Sequence, residues 1–139
     1  MNDSHVHRLM SLPLIEAGLA MIAASALVRT ARFAHIARTA AGRPQLRGRA
    51  GDAAESRRIA RAIVAWARRL PWRTLCFEQG LAATWMLRRR GYPATLYYGV
   101  APIDGELAAH VWVRSGAIDV IGCENAGDYA ILARFPPSD

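Results

Sequence analysis

The stretch Leu87-Arg88-Arg89-Arg90-Gly91-Tyr92-Pro93-Ala94-Thr95-Leu96-Tyr97-Tyr98-Gly99-Val100 divides the chain into a helical part and a stranded part. Three arginines complement the negative end of a helix, Gly91 suits a left-handed C-terminal cap, and Pro93 forbids continuation. Beyond Pro93, residues 94–100 are rich in Thr, Tyr, Leu and Val, as a strand is. Asp104-Gly105 signals a turn, Leu107, Ala109, Val111 and Val113 alternate through residues 106–114, and Ser115-Gly116 turns the chain again into residues 117–122. Residues 129–135 add a last strand. Helices first and antiparallel strands after them make the fold class α+β.

On the N-terminal side of the dividing stretch, residues 77–87 form an apolar helix whose Phe77, Leu81 and Trp85 recur at spacing four. Thr74 is its expected N-cap, so Cys76 falls in the first turn. Farther out, Ile59, Ile63, Trp66 and Leu70 recur at helical spacing with Arg58, Arg61, Arg68 and Arg69 outside the stripe, and Pro71 ends that helix. Residues 40–52 combine Gly, Pro and Arg without apolar periodicity and read as a basic linker. Residues 12–28 are the most hydrophobic part, just long enough to cross a bilayer or to act as a signal peptide. Glu16, Pro13 and the poorly basic first ten residues favour a packed helix instead. Ser11 would cap it, Pro13 would sit in its first turn, Glu16 would face the positive end of its dipole, and it would run to about Ile36.

Composition agrees with one folded domain. The chain has 139 residues, 53% apolar and 21% charged, too hydrophobic for a disordered tail. All 18 basic residues are arginines, and the net charge of +7 is uneven. Residues 1–70 hold 12 arginines against Asp3, Glu16, Asp52 and Glu55, whereas residues 71–139 hold 6 against 7 acids. Cys76 and Cys123 lie 47 residues apart without C-x-x-C spacing or a histidine ligand pair. Neither a zinc site nor a disulfide framework is indicated, and a reduced cytoplasmic setting is the default. No cofactor or metal is expected.

A helix N-terminus and a nearby imidazole make a thiol a useful nucleophile. Cys76 has the first condition, although a cysteine at the start of an apolar helix is often a small core residue. His5, His7 and His35 lie in the N-terminal segment, leaving His110 as the histidine of the sheet. If Ser115-Gly116 is a two-residue loop, Trp112 pairs with Asp119 and His110 with Ile121, which puts His110, Trp112, Asp119 and Ile121 on one face. Asp119 is then the diagonal neighbour of His110 and can hold its tautomer, provided the register does not slip. Glu124 and Asp128 also follow His110 and stay open as the acid. Cys123 reads as a small structural hydrophobe.

Leu75-Cys76-Phe77-Glu78-Gln79-Gly80-Leu81-Ala82-Ala83, the dividing stretch, Ala109-His110-Val111-Trp112-Val113 and the helix ending Arg68-Arg69-Leu70-Pro71-Trp72 together resemble the transglutaminase-like cysteine peptidases of lasso-peptide biosynthesis. The resemblance covers about residues 55 to 125. It implies a papain-like or transglutaminase-like fold and removal of the leader from a ribosomally made precursor peptide. It also implies Cys76 as nucleophile, His110 as base and Asp119 as orienting acid. Fused members carry a leader-recognition domain ahead of the peptidase for which this chain has no room, so it looks like the separate peptidase of a split system. Its implied partners are the precursor peptide, a separate leader-recognition protein and, further along, the lasso cyclase. Residues 1–52 are the expected docking segment and residues 53–139 the peptidase domain. Membrane contact by the N-terminal helix is the weaker reading.

Two competing classes remain. A transglutaminase-like acyltransferase would use the same residues with an amine in place of water. A non-enzymatic basic adaptor would bind nucleic acid or an anionic membrane through residues 29–69. No helix-turn-helix or aromatic-basic interleaving supports nucleic-acid binding, and the adaptor leaves the Cys, His and Asp set unexplained.

Overall fold

The computed structural model describes residues 3–30, 38, 50–71 and 76–136, with side chains of the first helix from residue 12 to 29. Three helices precede four strands: α1 (Asp3–Thr30), α2 (Ala53–Arg69), α3 (Cys76–Arg89), β1 (Thr95–Ile103), β2 (Glu106–Ser115), β3 (Ile118–Ile121), a 3₁₀ turn (Ala126–Asp128) and β4 (Ala130–Phe135). The strands form one antiparallel sheet in the order β3-β2-β1-β4. This is the α+β architecture expected, helices first and sheet after. The basic linker at 40–49 and the expected cap Thr74 lie outside the described residues.

Local chemistry accounts for most boundaries. Asp52 caps α2 by accepting from the Glu55 backbone N–H at 3.0 Å. At the C-terminal end of α3, Gly91 has φ +79°, its N–H donates to Arg88 O, and the Tyr92 N–H reaches back to Leu87 O at 3.1 Å. That pair of bonds is a Schellman motif with glycine in the left-handed position. Asp104 and Gly105 both have positive φ and join Ile103 to its partner Glu106, the type I′ pattern of a two-residue hairpin.

Helix α1 departs from its expected start. It is helical from Asp3, so Pro13 stands inside it and Ser11 is no cap. A proline ring already holds helical φ, and its interior position removes one hydrogen bond without forcing the chain to end. Ala17, Met21 and Ala24 of α1 are fully buried with Ile59 and Ile63 of α2, Leu81, Met86 and Leu87 of α3, and Leu96 and Val113 of the sheet. The first helix therefore shares the core of the elements that follow residue 53. Gly18 allows this approach, because a Cβ there would stand 2.7 Å from the Trp66 ring. The Trp66 indole N–H donates to Leu14 O across the same contact at 2.6 Å. The window Leu12–Arg29 has a mean hydropathy of 1.6 and is long and apolar enough to cross a membrane. A third of it is buried inside the domain.

Arginine 90 ties the three helices together. It meets the Glu16 carboxylate at 2.6 Å and Glu55 at 2.8 Å, and Arg89 reaches Glu16 at 3.3 Å. Arg88, whose guanidinium is held below its usual value by burial, donates to Ala94 O and Phe135 O and so joins the end of α3 to β1 and β4. Gly80 rests α3 on β2, where a Cβ would stand 2.7 Å from Val111.

Candidate active site

The first turn of α3 and the end of the sheet near β3 meet at a pocket of about 270 Å³. Cys76, the first residue of α3, and His110 of β2 both line it, together with Gln79, Gly122 and Glu124. The sequence expectation that brought Cys76 and His110 into one neighbourhood thus coincides with a cavity that both residues reach. First-turn N–H groups of α3 have no acceptor within the helix and lie at the same end as Cys76, the setting in which negative charge is stabilised.

The histidine ring is held from three sides. Its Nε2 lies 2.7 Å from the Gly122 carbonyl oxygen. A carbonyl can only accept, so that bond makes Nε2 the N–H and leaves Nδ1 as the basic nitrogen. Trp112 stacks on the ring at a centroid separation of 5.9 Å, and Tyr129 lies at 5.0 Å. Tyr97 stacks in turn on Trp112 at 5.5 Å, which extends the aromatic row across to β1.

The hairpin register differs from the expected one, and Asp119 moves with it. Ser115 pairs with Ile118, Arg114 with Asp119, and Val113 with Ile121, so Trp112 does not oppose Asp119 and His110 does not oppose Ile121. The loop residues are Gly116 and Ala117 instead. Gly116 takes φ +61° at the first central position, the one a type II′ turn reserves for glycine. Val120 is the extra residue of a bulge, which re-phases the strand and opposes Ile121 to Val113. Asp119 thereby sits opposite a residue four places from His110, about 13 Å along β2. Its carboxylate accepts from Arg114 Nε at 2.8 Å, and its side chain is 63% exposed. Among the described residues, the ring of His110 bonds Gly122 and the carboxylate of Asp119 bonds Arg114.

Two other groups near the thiol were not singled out from the sequence. Glu78 is 1% exposed, accepts from Ser25 Oγ at 2.9 Å and lies 4.0 Å from Arg29, so the C-terminal part of α1 is fastened to the first turn of the cysteine helix. An acid two residues after Cys76 in an otherwise apolar helix was its only sequence signal. Gly122 acts through a backbone carbonyl, which no side-chain pattern reveals. Cys123 stands apart from the pocket, with Sγ 3.3 Å from Val113 O, and burial pushes its thiol pKa up.

A helix that begins on a cysteine, packed on an antiparallel sheet that presents a histidine to the same pocket, is an arrangement suited to cysteine-dependent acyl transfer. The chain belongs to the transglutaminase-like superfamily, whose family profile matches residues 18–134. That span takes in the C-terminal part of α1, from Gly18, and the helices and strands after it as far as Arg134 of β4. Members of the superfamily are typically cysteine peptidases or acyltransferases. No match was found among curated proteins or among solved structures.

Proposed function

We propose that this chain is a cytoplasmic cysteine peptidase that removes the leader from a ribosomally synthesised lasso-peptide precursor, acting with a separate leader-recognition protein. The observation that carries the reading is the shared pocket of Cys76 and His110, with the imidazole tautomer set by the Gly122 carbonyl. The sequence resemblance supplies the substrate class. The exposed face of α1, with Leu12, Ile15 and Leu19 beside Arg89 and Ile22 also exposed, supports docking of the partner.

In this mechanism Cys76 Sγ attacks the scissile carbonyl while its proton passes to His110 Nδ1. The tetrahedral oxyanion is met by the first-turn N–H groups of α3. Collapse breaks the C–N bond, and Nδ1–H gives its proton to the leaving amine of the core peptide. Water, deprotonated by the same nitrogen, then attacks the leader thioester and releases the leader carboxylate and the thiol. Gly122 O holds the Nε2–H throughout, the orienting task that Asp119 was expected to perform. Incubation with the neighbouring precursor and the recognition partner, read by mass spectrometry, tests this. Free core peptide and a leader ending in a carboxylate, together heavier than the precursor by one water, are expected; a leader carrying an amine adduct would indicate the acyltransferase instead, and cleavage by folded Cys76→Ala would end the peptidase reading.

A further inference from the structure

The catalytic pocket does not stop at Cys76. A groove of about 340 Å³ runs on from it between α2 and β3, sharing Ile121, Val64 and Glu124 with the pocket as its common wall. Its floor is apolar, made by Val64 and Ala65 of α2 and by Val120 and Ile121 of β3. The bulge at Val120 shapes this floor by re-phasing the strand. Arg61 and Arg68 stand on the helical wall, seven residues apart and so about 10 Å along α2. Among the described residues neither has a carboxylate within ion-pair distance, in contrast to Arg58, which meets Glu55 at 3.1 Å. Glu124 lies where the groove joins the pocket.

We propose that this groove is the substrate cleft for a peptide segment in which an apolar residue is flanked by an acidic one. Resting on the peptidase reading, the inference concerns which peptide that site accepts. The apolar side chain covers Val64, Val120 and Ile121, and the carboxylate faces Arg61 and Arg68 on the α2 side. Glu124 repels the same carboxylate from the junction and so orients the segment. Two partly exposed charge contacts together favour an acidic side chain over its neutral isostere by about fivefold.

The test is protection of Cys76 from iodoacetamide in the full chain, read by intact mass and peptide mapping. The probes are two blocked dodecapeptides, one made of three repeats of Gly-Gly-Leu-Glu and the other of three repeats of Gly-Gly-Leu-Gln. The glutamate peptide is expected to half-protect Cys76 at a concentration about fivefold lower than the glutamine peptide. That preference should fall below about twofold in Arg61→Gln/Arg68→Gln and persist in Arg57→Gln/Arg69→Gln, which removes equal charge from the same helix outside the groove. Equal protection by both peptides, absence of protection, or a preference that survives the first variant or vanishes in the second overturns the proposal. None of those results touches the precursor-cleavage assay of Cys76→Ala, on which the peptidase reading stands or falls separately.

Discussion

At the scale of single residues, the site turns on one proton. The 2.7 Å contact of His110 Nε2 with Gly122 O assigns the tautomer without any carboxylate. Cys76→Ala and His110→Ala should each lower precursor cleavage by at least about a thousandfold with the circular dichroism spectrum unchanged. Asp119→Asn should change the rate less than about twofold, because its exposed pair with Arg114 contributes under about 1 kcal/mol. A collapse of the rate in Asp119→Asn would return the orienting role to the carboxylate. Cys123 behaves differently from a reactive thiol. The folded state holds it protonated more firmly than the unfolded chain does, so its contribution to stability is whole below the ordinary thiol value of about 8.5 and is lost as pH rises through the elevated folded value. Denaturant titrations from pH 7 to pH 10 should therefore show a shallower alkaline decline for Cys123→Ala than for the wild type.

At the scale of elements, the cysteine helix is placed by contacts on two sides. Gly80 sets it on β2, and Glu78 ties its first turn to Ser25 of α1. Glu78→Leu removes the bond from the Ser25 hydroxyl to the buried carboxylate and should cost about 1–3 kcal/mol in chemical denaturation. It should also weaken cleavage through misplacement of Cys76, with a smaller loss in iodoacetamide reactivity than in turnover; unchanged turnover would contradict this. Gly18→Ala drives a methyl group toward the Trp66 ring and should destabilise the domain by about 1–3 kcal/mol, with loss of the indole bond to Leu14 O. An unchanged melting temperature would show that α1 and α2 can separate without consequence.

At the scale of the whole molecule, α1 belongs to the domain it precedes. The expected division at residue 52 implied that residues 1–50 could be removed with the catalytic groups intact. The burial of Ala17, Met21 and Ala24, and the arginine junction of Glu16 and Glu55 through Arg90, lead to another outcome. Deletion of residues 1–30 should abolish the cooperative unfolding transition and give aggregated protein, since the core residues of α2 and α3 that cluster with Ala17, Met21 and Ala24 would face water. A soluble truncated chain with a cooperative melt would contradict this. The opposite face of α1 remains available to a partner, so one helix serves the core and, in the proposed function, docking as well.

The order of elements, the Schellman end of α3 at Gly91, the turn at Asp104-Gly105 and the placing of Cys76 at a helix start were all legible in the chain before any packing was known. Each follows from interactions within a few residues: a positive φ that glycine accepts, a proline that lacks an N–H, an apolar stripe at helical spacing. The hairpin after β2 lay at the edge of that reach. Ser115, Gly116 and Ala117 allow two loops that differ by one residue, and the bulge at Val120 then moves Asp119 to Arg114 and Ile121 to Val113. The helical span of α1 through Pro13, the sharing of Arg90 by Glu16 and Glu55, and the burial of Glu78 beneath Ser25 were decided by the tertiary structure alone. Those contacts join residues dozens of positions apart, and a carbonyl such as that of Gly122 has no side-chain identity to read. Local preference writes the elements into the chain, whereas the chemistry of the site depends on which distant groups packing brings within hydrogen-bond reach.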